Sequence, residues 1–507
     1  MKQFILLACY LITFPTLAQQ FEFKEPMKVI ASEKVGSIKQ GATLYLSGLT
    51  YRNDDGGAAL VTIIAKDGTG TRFDFNSNKI RSFEFKDVSG INMVWDRYLL
   101  VNQAYKSILK NGYQYSLRQE LNDDALEFTK SIRERFFNDD FLEDYLYTLL
   151  TKIHPGILYD ERPGNIYIKV IKDSQPDAFV LPNGCIVIST GMLSTLQSED
   201  ELVGVLAHEV AHFVLDHFVM NYNTALDRKK SAEFWAGFAT VIAAGADAYL
   251  TSQNENHVPG LLTVSTAVVA TAFANDVIER LGIKYNKEQE IEADNASKHI
   301  LKVLNYDTLG LSVALQRIKE YCVVTGNYLA LTGSGTHPSI GSRIKNLGSP
   351  DNLMKFTQPS YLKRVSGVNS YSARTELWSF AHHESALMLA ERNISNGVAV
   401  ESDYIVKAVI KRRLSNTKES NQEVLALLQK ARDLNVTPMP IISKEEGITW
   451  IRLGNKPEAK KAFQAYLDSL LEIEDRIEKL EYPNNNTKGL SEEIIWTMEM
   501  IFKADSL

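Results

Sequence analysis

Five residues, His208-Glu209-Val210-Ala211-His212, constrain this chain more than any other feature. Residues four apart share one face of a helix, so the two imidazoles can converge on a single ion. The carboxylate of Glu209 is then available as a general base toward a water molecule. This HExxH pattern is typical of zinc hydrolases. It requires the fold to surround the helix and to bring a third ligand from elsewhere.

The flanks of the pattern predict a capped and buried helix. Ser198 and Glu201 form a Ser-x-x-Glu capping box directly before an apolar run over residues 202–220. Small or polar residues recur every four positions at Gly204, His208, His212 and Asp216. Apolar side chains cover most of the remaining surface, so we expect this stripe to face the interior, where buried polar groups need partners. The alternative is a core helix whose histidines are only hydrogen-bonded.

A second helical pattern supplies a candidate third ligand. It opens with the segment EQEIEAD at 288–294, which contains four acidic residues, and it has an apolar stripe at Ala293, Ala296, Ile300, Val303 and Leu304. Extending the stripe back by one turn leads to Glu290, so a carboxylate stands where a core residue is expected. Asp294 shares that face and can orient a histidine ligand. Glu288 and Glu292 have an ordinary explanation in the dipole at a helix start.

Three motifs in order carry a family resemblance. They are residues 184–212 (GCIVISTGMLSTLQSEDELVGVLAHEVAH), 290–294 (EIEAD) and 336–344 (THPSIGSRI). Over about residues 165–347 the chain resembles the gluzincin metallopeptidases of the HtpX and BepA type, relatives of the CAAX prenyl proteases. The resemblance implies one zinc ion per chain, bound by His208, His212 and Glu290, with Glu209 as the catalytic base.

The third motif contributes two further candidates. In the resembling family the His-Pro segment lies near the active site, which here means His337 and Pro338. We predict that His337, on a Gly-containing loop, fills the fourth zinc position and gates the site. The competing interpretations make it a hydrogen-bond donor to the transition state or an exposed loop residue. Arg343 is expected to support the catalytic helices from outside the ligand set, as Asp294 does.

A small sheet is predicted beside the motif helix. Residues 166–171 alternate as a strand does, and residues 178–181 and 185–190 flank a Pro-Asn-Gly turn, which predicts a hairpin. An edge strand near a metal can bind an extended peptide by main-chain pairing. The resemblance implies that substrate enters in this way, and the alternative is a strand that only packs on the helix. Asp177 replaces the Asn that the family often has, which leaves the details of the groove open.

The N-terminus predicts export. Lys2, an apolar stretch and the small residues Thr16 and Ala18 match a signal peptide over residues 1–18. We therefore expect a periplasmic or secreted protein. Cys9 resembles a lipoprotein site, but the apolar stretch before it is short, so a lipoprotein is not expected.

Composition and cysteine content exclude other classes. The net charge is −7 and there is no basic stripe, which argues against nucleic-acid binding. Cys185 and Cys322 remain after the signal, too few for a disulfide framework. We expect both to be small buried hydrophobes, with one bridge left open as an alternative.

The chain has 507 residues, enough for several domains with their own cores. We predict a small β-rich domain at 19–110, a zinc metallopeptidase domain at 120–350 and a helical domain at 360–507. The strands expected in the first domain, with a barrel as one arrangement, are residues 42–51, 58–65, 71–75 and 80–85. The fold class is α+β: a mainly helical zincin-like domain with a small sheet, preceded by a small β domain and followed by a helical domain.

Two further stretches concern partners. Between the metal-binding helices, residues 234–246 and 260–274 are strongly apolar but shorter than a membrane span, so we expect a helical hairpin over the active site, with peripheral membrane contact as an alternative. In the last domain, the spacing of a tetratricopeptide helix pair is matched by Gly447, Trp450, Leu453, Gly454, Ala459 and Phe463. The alternative there is an ordinary helical bundle.

These expectations describe an exported zinc metalloendopeptidase that hydrolyses misfolded or unassembled envelope proteins, a substrate class implied by the resemblance. Its partners would be polypeptide substrates and envelope proteins that contact the helical domain. The alternative is a chaperone-like binding protein with latent or structural zinc, and an exopeptidase also stays open.

Overall fold

The computed structural model describes residues 19–53, 59–107, 113–154, 165–225, 285–325, 339–435, 439–479 and 488–506. The chain divides into two compact units. One combines residues 1–120, 155–165 and 214–216, and the other combines residues 121–154, 166–213 and 217–507. The predicted signal peptide, the apolar segments at 234–246 and 260–274, and the His337 loop lie outside the described residues.

The first unit contains an antiparallel five-stranded sheet. Its strands are β1 (Gln19–Ala31), β2 (Thr43–Asn53), β3 (Ala59–Lys66), β4 (Arg72–Asn76) and β5 (Phe83–Phe85). Their order is β4-β3-β2-β1-β5, and helix α1 (Ile91–Val101) packs on β1. In the part of the chain that the structure describes, no pairing joins β4 to β5, so this sheet is open rather than a closed barrel.

The sheet departs from the predicted strands at two places. Strand β1 was not predicted, because Lys24, Glu25 and Pro26 interrupt the alternation of its side chains. The ladder between β1 and β2 accommodates them as an irregularity between Glu22 and Met27. The strand predicted at 80–85 is shortened to Phe83–Phe85, because a 3₁₀ helix capped by the Asn76 side chain occupies Ser77–Ser82.

The second unit contains a small three-stranded sheet beside helix α3 (Asp140–Ile153); helix α2 (Tyr113–Ser131) leads into this unit. Strands β6 (Tyr167–Ile171), β7 (Ala178–Val180) and β8 (Cys185–Ser189) are ordered β6-β8-β7. β6 runs parallel and β7 antiparallel to β8, which confirms the predicted hairpin. Gly184 forms its turn with a φ of 84°. Among the described strands β7 pairs only with β8, and the side of β7 that faces away from β8 is its outer edge.

Between the hairpin and residue 347, the described residues form six helices. They are α4 (Thr190–Thr195), α5 (Glu199–Val214), α6 (His217–Ala225), α7 (Lys287–Val303), α8 (Gly310–Val324) and α9 (Ile340–Leu347). The predicted cap is confirmed, since Ser198 Oγ accepts from the Glu201 N–H at 3.2 Å. Gly204 allows α8 to approach α5, because a Cβ there would lie 2.7 Å from the backbone nitrogen of Leu311.

The motif helix α5 is shorter than the apolar run predicted. It is buried as expected, but it ends at Val214 instead of continuing toward residue 220. Asp216 has a φ of 59°, a left-handed conformation that no α-helix can contain, and a separate helix begins at His217. The polar stripe of the motif helix therefore stops at His212.

The described residues after 358 are helical, as predicted for the chain past Pro359. The helices are α10 (Pro359–Arg364), α11 (Ser366–Trp378), α12 (His383–Ser395), α13 (Glu401–Leu414), α14 (Lys418–Leu434), α15 (Pro440–Arg452), α16 (Lys456–Lys479) and α17 (Lys488–Ser506). Each packs against the next. None of the described helices combines the length and apolar character needed to cross a bilayer. Cys185 and Cys322 are buried and not bonded to each other, which confirms that prediction.

Candidate metal centre

Three side chains from two helices converge at one point. His208 and His212 project from α5 and bring their Nε2 atoms to 3.1 Å from each other. Glu290 projects from α7, with one carboxylate oxygen 3.7 Å from His208 Nε2 and the other 4.0 Å from His212 Nε2. All three residues are buried. One donor atom from each lies within 4.8 Å of the other two.

The chemistry of this donor set fits zinc. Two imidazole nitrogens and one carboxylate form a ligand set that catalytic zinc sites use. Atoms at about 2.0–2.1 Å from a tetrahedral ion lie about 3.3 Å from one another. The separations of 3.1–4.0 Å between the donor atoms bracket that value. Three protein ligands also leave a fourth position for water or substrate.

Glu209 lies beside the ligands and next to the small sheet. Burial raises the pKa of its carboxyl well above the ordinary value, and the carboxylates of Glu290 and Asp177 raise it further, against the opposing effect of Arg343. The Val180 backbone N–H donates to this carboxylate. Because Leu181 N–H points to β8, the alternating Val180 N–H belongs to the outer edge of β7. The candidate base and the outer edge of β7 are therefore neighbours.

A carboxylate contacts the second ring nitrogen of His208. His208 Nδ1 lies 3.0 Å from Oδ1 of Asp294, a residue one turn after Glu290 on α7. Arg343 from α9 donates to both oxygens of Asp294, at 2.6 and 3.0 Å, and lies 3.2 Å from Glu290 Oε2. Although burial opposes it, Arg343 and His208 hold the pKa of Asp294 below its ordinary value. Asp294 can therefore orient His208 as an ionised acceptor.

The second ring nitrogen of His212 contacts an imidazole instead of a carboxylate. His217 Nδ1 lies 2.9 Å from His212 Nδ1, and His217 Nε2 lies 3.3 Å from Glu292 Oε2. Burial lowers the pKa of His217, while Glu292 opposes that shift. The ring of Tyr285 stacks on His212 with centroids 3.7 Å apart. The sequence analysis gave none of these three residues a role at the site, and it explained Glu292 by the helix dipole, whereas the structure places Glu292 against His217. The histidine five positions after His212 was the signal that could have led to His217.

The predicted site residues meet in space with one exception. The structure brings together His208, Glu209, His212, Glu290, Asp294 and Arg343. His337 lies outside the described residues, so its gating role stays a prediction. Asp177, the departure from the resembling family, is close enough to Glu209 to raise its pKa.

Comparisons with known proteins agree with this geometry. Residues 156–351 match the model of peptidase family M48. The chain is 27% identical over 246 residues to the mitochondrial metalloendopeptidase OMA1 of Schizosaccharomyces pombe, covering 46% of this chain and 64% of that protein. It is 26% identical over 143 residues to the metalloprotease YcaL of Escherichia coli, covering 28% of this chain and 47% of that protein.

The chain thus spans less than two thirds of the length of either relative. The matches support a zinc metallopeptidase of the M48 type.

Proposed function

We propose that this protein is an exported zinc-dependent metalloendopeptidase of the HtpX and BepA type that cleaves misfolded or unassembled envelope proteins. The observation that carries the proposal is the convergence of His208, His212 and Glu290 beside the buried carboxylate of Glu209. One zinc ion per chain would be held by these three ligands.

Each residue around the site has its own role in peptide hydrolysis. When bound, zinc supplies a Lewis acid that polarises the peptide carbonyl and makes water more acidic. Glu209 takes the proton from the attacking water and delivers it to the leaving amine. Asp294 and Arg343 hold the His208 side of the site in place during this transfer.

The outer edge of β7 next to Glu209 favours extended substrates. A peptide that adds to this edge forms main-chain hydrogen bonds. Its backbone would then run past Glu209, since the Val180 N–H at that edge faces the Glu209 carboxylate. Main-chain pairing depends little on the side chains of the substrate, but it requires an unfolded segment. Misfolded or unassembled proteins offer such segments, which is the physical reason for the proposed substrate class.

Location and partners form the outer part of the proposal. The signal-like residues 1–18 favour the periplasm or secretion. The successive helices of α11–α17 would form a tetratricopeptide-like surface for envelope proteins. In that region Gly447 of α15 lies directly against the ring of Phe463 of α16, the small-on-large contact that such helix pairs use.

The proposal is tested with wild type and Glu209→Gln protein loaded with equal zinc. We expect Glu209→Gln to lower kcat on an unfolded protein substrate by about 10²–10⁴-fold, the range for loss of a general base. Its zinc content should stay near that of wild type, because the three ligands are retained. Wild-type turnover by Glu209→Gln would refute the assignment of the base.

The same pair of proteins separates the protease from the chaperone-like alternative. If Glu209→Gln protects unfolded clients from aggregation as well as wild type does, and wild type does not cleave them, binding is the main activity. Cleavage at internal bonds by wild type, read by mass spectrometry of the products, supports an endopeptidase over an exopeptidase.

A further inference from the structure

The Nδ1 atoms of the two histidine ligands contact different kinds of side chain. His208 contacts a carboxylate, Asp294, while His212 contacts the ring of His217. His217 is itself almost completely buried, at 1% exposure, and its far nitrogen reaches the partly exposed carboxylate of Glu292. Three groups are thus arranged in series from Glu292 to His212.

Hydrogen-bond chemistry assigns every proton in this series. A metal ligand uses the lone pair of His212 Nε2, so the neutral ring carries its proton on Nδ1. That N–H can donate to His217 Nδ1 only if His217 Nδ1 presents a lone pair. The neutral His217 ring then carries its own proton on Nε2, and this N–H faces a Glu292 oxygen, which accepts. No other arrangement of neutral rings satisfies both contacts.

The backbone is built to hold this series in place. In an uninterrupted helix, a residue five positions after His212 would be rotated about 140° around the axis. The left-handed residue Asp216 breaks the helix, and His217 begins the next one. Asn221 on that second helix exchanges two amide hydrogen bonds with Gln289 of α7, at 3.0 and 3.1 Å. The helix of His217 is therefore fastened to the helix that carries Glu292.

We propose that His217 is a positioning residue: its Nδ1 accepts a hydrogen bond from the Nδ1–H of His212, and its own Nε2–H donates to Glu292, so that His212 presents Nε2 to the metal. This relay deepens the proposed function and rests on it. Outer-shell partners of metal-bound histidines fix the tautomer and ring orientation, and their removal costs about 10–100-fold in metal affinity.

The test compares two replacements of His217. The side-chain oxygen of His217→Asn lies near the position of Nδ1 and keeps an acceptor for His212, whereas His217→Leu is closer to histidine in volume but accepts nothing. We expect His217→Leu to weaken zinc binding by about 10–100-fold, and His217→Asn to retain most of the affinity. Zinc affinity is measured by competition with a chelator, and metal-free stability by thermal unfolding.

A packing role predicts the opposite order, because Leu fills the buried space better than Asn. Equal or weaker binding by His217→Asn than by His217→Leu therefore overturns the relay, and so does a second zinc ion per chain bound by His217. If His217→Leu does not fold, Glu292→Ala against Glu288→Ala carries the test. Only Glu292→Ala should weaken zinc binding, since Glu288 is an exposed residue of the same helix. Wild-type protein that binds no zinc would instead refute the proposed function.

Discussion

The metal centre and the C-terminal helices both bury charged side chains, but they balance the charge differently. In the helices, Arg412 of α13 donates to Glu445 of α15, with Nη2 at 3.1 Å from Oε1. Lys444 likewise pairs with Glu493. At the metal centre, Glu209, Glu290 and Asp294 share Arg343, the cation that the described residues place against them.

This difference separates a structural pair from a binding site. A buried carboxylate matched by its own cation is satisfied locally, although such a pair adds little net stability. A buried cluster with more carboxylates than cations gains from a bound dication, which changes the charge balance of the whole site. We therefore expect changes at the centre to alter zinc binding, and changes in the helices to alter stability.

The largest effect should come from Glu290→Ala. A structural zinc site contributes about 10–16 kcal/mol, so one of four ligands corresponds to roughly 2.5–4 kcal/mol, or a loss of about 10²–10³-fold in zinc affinity. Metal analysis after dialysis against a chelator measures this, with Glu288→Ala as the matched control. Retention of zinc by Glu290→Ala would show that the third ligand lies elsewhere, and the contrast between the two regions would fail.

A buried pair should respond in the opposite way. Arg412→Met removes the guanidinium that donates to the buried carboxylate of Glu445, which we expect to lower the free energy of unfolding by about 3 kcal/mol, the lower end for a broken buried pair. Zinc affinity should not change. Arg432→Met is the control, because the Arg432–Glu446 pair is nearer the surface and should contribute less than about 1 kcal/mol. Chemical denaturation compares the two, and equal losses would contradict the expectation.

The sequence predicted the parts of the site whose signals are local. The i, i+4 spacing of His208 and His212 and the Ser198 cap each lie within one helix. Glu290 was predicted because it interrupts an apolar stripe at a buried position. The hairpin of β7 and β8 was predicted because its turn contains Gly184.

The missed parts depend on contacts between distant segments or on irregular backbone. His217 and Glu292 are separated by 75 positions, and their contact requires the helix break at Asp216, a residue that fitted the polar stripe of an unbroken helix. Strand β1 was missed because its ladder tolerates Pro26 near an irregularity that only the pairing with β2 reveals. Periodic elements leave a signal in the sequence, whereas the direction in which a helix break turns the next residue does not.

A smaller effect should follow from Asp294→Asn. The amide keeps the size of the carboxylate, but it removes the charge that Arg343 and His208 contact. We expect zinc affinity to fall by about 10–100-fold, as for other outer-shell partners, with little change in the unfolding temperature of the metal-free protein. Chelator competition measures the first quantity and calorimetry the second. A large loss of stability with unchanged zinc affinity would place Asp294 with the structural pairs of the helical region.

The smallest effect should come from Gly447→Ala in the helical region. Alanine favours a helix over glycine by about 1 kcal/mol, but its Cβ would lie 2.6 Å from the buried ring of Phe463. Phe463 is held in turn by an edge contact with Trp496, with centroids 5.8 Å apart, so the ring has little room to move. Overpacking of this kind costs about 1–3 kcal/mol, and we expect a net destabilisation of about 1 kcal/mol.

Gly367→Ala is the control, because its Cβ would meet only an ordinary contact at 3.8 Å. Chemical denaturation should show a loss for Gly447→Ala alone, with zinc content unchanged in both variants; a stabilised Gly447→Ala protein would mean that α15 and α16 can separate without cost.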